Sequence, residues 1–121
     1  MLPNMNVVAY VLVGLVAALH LYFLVLEMFL WTKPLGIKTF GNTPEFAEAS
    51  KVLAANQGLY NGFLVAGLVW ALATQELDVA VFFLACVIVA GVYGAVTVSR
   101  RILVVQAVPA LLALGAVLLA W

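Results

Sequence analysis

In a chain of 121 residues that is 68% hydrophobic and 8% charged, few side chains are equipped for chemistry. His20 and Glu27 stand in the first apolar segment, and Asn56, Gln57, Tyr60 and Asn61 in the second. Tyr93 and Thr97 belong to the third, and Gln106, three residues before Pro109, to the fourth. A carboxyl and an imidazole can pass a proton or hold a charged head group, amides orient polar atoms, and a phenol donates a proton. His20 and Glu27 are therefore the candidate catalytic residues. The candidate ligand-binding set is His20, Glu27, Asn56, Gln57, Tyr60, Asn61, Tyr93 and Gln106. One histidine and one cysteine fall short of a usual ligand set, so no metal site is expected. Nothing in the chain names a cofactor.

The same residues also have structural uses. Glu27 can pair with Lys51 or an arginine, and His20 can bond Asn61 or a backbone carbonyl. The amides can tie helices together, at about 0.6 kcal/mol each inside a membrane. Cys86 sits in an apolar stretch with no partner cysteine in the chain, and it reads as a small packing residue.

Composition fixes the solvent around these groups. Soluble domains carry about 25% charged residues and roughly half apolar ones. A chain of mean hydropathy +1.25 cannot hide its apolar surface from water, so lipid must cover it. Zero net charge and the lack of any basic run exclude nucleic acid as a partner. Backbone groups have no partners in hydrocarbon, so the apolar runs must be helices. A span of about 30 Å needs roughly 20 residues. The chain divides into four such pieces, about 6–31, 44–74, 79–99 and 102–121, with an interfacial loop at 32–43. The expected fold is all-α: a single transmembrane domain, 1–121, forming an integral four-helix antiparallel bundle. The first segment lacks a basic leader and its apolar run is too long for a cleaved signal, so it reads as a retained helix.

Local signals mark the ends. Trp31-Thr32-Lys33-Pro34-Leu35-Gly36 stops the first helix with an interfacial aromatic, a charge and two breakers. Thr43-Pro44-Glu45 starts the second, with a cap, a proline at the first position and an acid at the positive end of the helix dipole. Lys33, Lys38 and Lys51 flank the first connection, and Arg100 and Arg101 the third; Glu76 and Asp78 occupy the second. The positive-inside rule puts the first and third connections in the cytoplasm and both termini outside.

Helical spacing sorts the polar groups. His20, Leu24, Glu27 and Trp31 form one stripe, and Asn56, Gln57, Tyr60 and Asn61 another; both are expected to point into the bundle. Depth follows from the rise of a helix, about 1.5 Å per residue. Counted from Trp31, Lys51 and Arg101, that rise puts Glu27 level with Asn56, Gln57 and Gln106, and His20 level with Asn61. Residues 7–18, 62–73, 79–91 and 110–120 hold no charge, amide or histidine, so the polar chemistry belongs to the cytoplasmic half. Gly58 and Gly62, extended by Ala66, allow a close helix approach, either within the chain or between copies.

The segments HLYFLVLEMFLW at 20–31, Phe40 with PEFAE at 44–48, and AANQGLYNGFLVAG at 54–67 resemble a group of small bacterial inner-membrane proteins, domain of unknown function 1304. The resemblance covers nearly the whole chain and implies four membrane helices, with no activity or ligand attached. A second, architectural similarity is to the membrane-associated eicosanoid and glutathione metabolism superfamily, four-helix trimeric enzymes. Asn56, Tyr60, Tyr93 and Arg100 match its pattern, while Val52 and Leu59 stand where it has arginine and glutamate.

Three readings of function follow. The first is a membrane protein whose cytoplasm-side pocket binds or acts on a small amphiphilic or lipid-like molecule, as a homodimer or homotrimer. The second is a proton-coupled small-molecule exporter, resembling four-helix multidrug transporters with a membrane glutamate on the first helix. The third is a structural or regulatory membrane subunit without ligand. The residues alone do not decide whether the chain is an enzyme.

Overall fold

The computed structural model describes residues 5–119. Among them are five α-helices and no strand: α1 (Val7–Met28), α2 (Pro34–Phe40), α3 (Pro44–Thr74), α4 (Leu77–Thr97) and α5 (Val108–Leu119), the last preceded by a π-helical turn at Leu103–Ala107. Of the described helices, α1, α3 and α4 are long and apolar enough to cross a membrane. Leu103–Leu119 is a shorter apolar helix. Ala120 and Trp121, the expected end of the fourth span, lie outside the described residues.

The chain falls into two compact units. One contains residues up to 18 together with those from 66 onward. Its core is a heptad-like stripe on α4, Leu77, Ala80, Leu84, Val87 and Gly91, and a row of small residues at Ala107, Ala110, Ala113 and Val117. Both follow the spacing of one helix face. A Cβ on Gly91 would stand 3.1 Å from both the nitrogen and the Cβ of Ala107, so glycine here lets two backbones approach. Pro109 explains the π-helical turn at Leu103–Ala107. It cannot donate to the carbonyl four residues back and its ring crowds that carbonyl, so the preceding turn widens. At the start of α1, Asn6 accepts the Ala9 N–H at 2.8 Å. It is the helix cap.

In the same unit Gln75 ends α3 in a left-handed conformation, with φ of 60°. Its amide nitrogen donates to the Leu72 carbonyl at 2.9 Å, and its amide oxygen accepts the Met5 N–H at 3.1 Å. The side chain thus satisfies a helix-end carbonyl and ties down the segment before α1.

The other unit is residues 19–65. The sequence predicts a helix running to Trp31 and a loop at 32–43; here α1 ends at Met28, and residues 34–40 form α2. Pro34 supplies the fixed φ of a first helical position. Gly41, with φ of 67°, supplies the left-handed stop. The Gly41 N–H closes α2 on the Ile37 carbonyl. Thr43 caps α3 by accepting the Phe46 N–H at 3.1 Å. Trp31 pins the turn from two sides: its indole N–H donates to the Ser50 hydroxyl at 3.1 Å, and its ring packs 4.9 Å from that of Phe40.

Gly36 is the tightest point. A Cβ there would collide with the backbone carbonyl of Leu30. Gly36→Ala is expected to cost about 1–3 kcal/mol by overpacking. Gly14 has open space around it, and Gly14→Ala should leave stability within about 0.5 kcal/mol or raise it. Reversible unfolding of the detergent-solubilised variants measures both.

Candidate functional site

The site is built where α1 and α3 run antiparallel within residues 19–65. Gly58 makes it possible. A Cβ on Gly58 would lie 3.2 Å from the Glu27 Cβ and 3.3 Å from the Leu24 carbonyl, and one on Gly62 would lie 3.1 Å from Leu24 Cδ1. The two glycines therefore serve packing inside the chain. At this separation the Asn61 amide reaches the Glu27 carboxyl, donating to Oε1 at 2.6 Å. Helical side chains lean toward their own N-terminus. On antiparallel helices Glu27 and Asn61 therefore lean toward each other, and the bond forms between positions one turn out of register.

This corrects the depth matching made from the sequence, which sets His20 level with Asn61. The count from Trp31 assumes helix throughout, but residues 29–31 lie beyond the helix, in the turn. The register is set instead where the glycines meet the first helix, Gly58 against Leu24 and Glu27 and Gly62 against Leu24, which puts His20 a turn beyond Asn61. His20 is fully buried and meets the Phe23 ring edge-on, with centroids 5.3 Å apart. Asn61 is 8% exposed and belongs to Glu27.

The polar stripe on α3 is corrected too. The buried face of that helix runs through Ala47, Ala54, Gly58 and Asn61 and on through Leu68 and Ala71. Asn56, Gln57 and Tyr60 point away from it and are exposed. Close packing selects small side chains, and only Asn61 of the four polar residues falls on the row they define. Tyr93 is exposed as well. Gln106 is spent inside its own unit, its amide nitrogen donating to the Val87 carbonyl at 3.1 Å. Lys51 pairs with Glu48 one turn away rather than with Glu27. Both members of that pair are more than half exposed, so it contributes at most about 1 kcal/mol.

Beside the Glu27–Asn61 bond an open groove of about 320 Å³ is lined by Glu27, Met28, Phe29, Trp31, Lys51 and Val52, among others. His20 is not part of its lining. The groove thus joins one carboxyl and one ammonium on apolar and aromatic walls. Such a surface can hold a molecule with a charged head and a greasy body. Among the described residues no group of three or more His, Cys, Asp or Glu side chains gathers as metal ligands would. In the sequence Lys51 reads as a topology marker or an ion-pair partner for Glu27, and Trp31 as an interfacial aromatic on the Glu27 stripe; their shared groove depends on the turn at 29–33, which no periodicity reveals.

The family described as protein of unknown function DUF1304 matches residues 14–118. The chain belongs to it. A relative, the uncharacterized protein YpaA of Lactococcus lactis subsp. lactis (strain IL1403), is 32% identical over 114 residues, which cover 91% of this chain and 96% of that protein. No solved structure matches the chain. The family resemblance carried by residues 20–31, 40, 44–48 and 54–67 is therefore sound.

Replacing Asn61 with alanine removes the donor that holds Glu27 and is expected to cost about 0.6–1.7 kcal/mol, the range for membrane-interior hydrogen bonds. Asn56→Ala and Gln57→Ala, on the exposed side, should stay within about 0.5 kcal/mol in the detergent-solubilised monomer. Equilibrium unfolding of the three variants separates the buried amide from the exposed ones.

Proposed function

We propose that this chain is a four-span protein of the bacterial inner membrane, with both termini outside, that binds a small amphiphilic or lipid-like molecule on its cytoplasmic side. The observation that carries this reading is the groove in which Glu27 and Lys51 stand on walls formed by Met28, Phe29, Trp31 and Val52. A head group bearing a positive and a negative charge matches the two ionisable walls, and an alkyl chain matches the apolar ones. Trp31 and Lys51 are residue types of the membrane–water boundary, where an amphiphile also sits. The placement of Lys33, Lys38, Lys51, Arg100 and Arg101 supports the cytoplasmic assignment. Leu103–Leu119 would serve as the fourth span. Its length of about 25 Å is short for a hydrocarbon core of about 30 Å, a mismatch that local bilayer thinning accommodates.

Self-association belongs to this proposal. Asn56, Gln57 and Tyr60 are exposed on a helix apolar enough to cross the membrane. Hydrocarbon does not satisfy amides, whereas a second copy does, because an amide both donates and accepts. We therefore favour a homodimer or homotrimer joined through this face of α3. An exporter fits less well, since residues 7–18, 62–73, 79–91 and 110–120 offer no charge, amide or histidine along a path.

The test uses lysophosphatidylethanolamine, whose head carries both charges, added to full-length protein in a neutral detergent and followed by native mass spectrometry. Glu27→Gln keeps the hydrogen bond to Asn61 while removing the carboxylate, and Lys51→Met keeps the apolar stem. Each is expected to weaken adduct formation about tenfold, the equivalent of roughly 1.4 kcal/mol, with the melting temperature unchanged in Glu27→Gln and lowered in Lys51→Met by no more than the loss of the exposed pair with Glu48. Adducts of equal strength in wild type and both variants would overturn the assignment of this groove.

A further inference from the structure

The turn between α3 and α4 carries an arrangement that the Glu27 groove does not use. Trp70, near the end of α3, and Phe82 and Phe83, on α4, line an open pocket of about 240 Å³ with Asp78 and Val79. All five belong to the unit that contains residues 66–121. The rings are steep to one another rather than stacked. Phe83 meets Trp70 at 64° with centroids 6.5 Å apart, and Phe82 meets Phe83 at 89° and 5.2 Å. Edge-on pairing covers at most one face of a ring, and Trp70 and Phe82 are more than half exposed, so ring surface stays accessible at the pocket.

Local sequence explains the corner. Phe82 lies one helical turn beyond Asp78, and Phe83 one turn beyond Val79, so the acid and the rings share one side of α4. Gly67 gives Phe83 its seat on α3, since a Cβ there would overlap the ring. Asp78 is held at the rim, its Oδ1 accepting the Val79 N–H at 3.0 Å.

Charge completes the picture. The only ionisable residues of this connection are Glu76 and Asp78; all five lysines and arginines of the chain lie at positions 33, 38, 51, 100 and 101. A carboxylate beside aromatic faces, with no resident cation nearby in sequence, is the chemistry that receives an organic ammonium ion. An interfacial aromatic belt explains exposed rings, but it does not call for a carboxylate at their rim or a glycine beneath one of them. We propose that Trp70, Phe82, Phe83 and Asp78 form a binding site for a methylated or alkylated ammonium group. That group can be presented by a free solute or by a lipid head.

The experiment uses full-length protein in a neutral detergent, with tetramethylammonium as the probe. The indole N–H resonance that Trp70→Phe abolishes reports occupancy. Tetramethylammonium is expected to shift it saturably, while 3,3-dimethylbutanol, a neutral molecule of similar shape, does so far less. Asp78→Asn and Phe82→Leu should each weaken the probe about tenfold, equivalent to roughly 1.4 kcal/mol. Phe82 is exposed, so its variant decides the matter if Asp78→Asn lowers the melting temperature. A shift of equal size with the neutral analogue, or undiminished binding in Phe82→Leu, would overturn the proposal. In nanodiscs, loss of the tetramethylammonium response when phosphatidylethanolamine is replaced by phosphatidylcholine, an equally zwitterionic lipid whose ammonium is methylated, identifies a lipid head as the ligand. A response that survives this replacement identifies a free solute.

Discussion

Hydrocarbon offers no hydrogen-bond partner, and Asn61, Gln106, Thr74 and Thr97 answer that constraint within the chain. Asn61 is nearly buried and finds the Glu27 carboxyl. Gln106 finds the Val87 carbonyl. Thr74 and Thr97 donate to carbonyls one turn back in their own helices, at 2.9 and 2.7 Å. Each bond is modest, but an amide left unpaired in an apolar interior costs about 1–3 kcal/mol. The partners therefore restrict which helix faces can meet. Glycine is the other half of the same constraint: Asn61 reaches Glu27 only because Gly58 lets the two backbones close up.

How much of this the sequence displays depends on whether the signal is local. Thr43 and Pro44 mark the start of α3 because capping and a fixed φ act within one turn, and the structure uses both. The all-helical character follows from hydropathy and the demands of the backbone in lipid. The short helix α2 is hidden because Pro34 and Gly36 read as breakers, although a proline at a first position and a glycine at a stop bracket a helix equally well. Gly36 is not conformationally special; it yields room to the Leu30 carbonyl, a contact with a turn that forms only in the folded chain.

The site is less legible than the helices for a related reason. Polar residues on a greasy helix draw the eye, and treating them as the buried face is natural when lipid is the alternative. On α3 the buried face is instead written in its small residues, Ala47, Ala54 and Gly58, with Asn61 the single amide that shares their row. Packing distance, more than polarity, chose the face. That choice leaves Asn56, Gln57 and Tyr60 facing outward, where another copy of the chain is the partner we propose.

The segments that carry the family resemblance can now be given a physical meaning. Residues 20–31 and 54–67 are two sides of one contact: Leu24 and Glu27 on α1 meet Gly58, Asn61 and Gly62 on α3. Such a motif encodes an approach of two helices and one hydrogen bond across it. It would exist even in a protein with no ligand, so membership of the family does not by itself argue for chemistry at Asn61 or Gly58. Glu27 differs from the others. It is held by the packing motif on one side and lines a groove beside Lys51 on the other. A carboxyl that served only to hold two helices together would have no need to reach a groove wall. The edge between contact and groove is therefore where the structural and the ligand-binding readings make different demands on one residue.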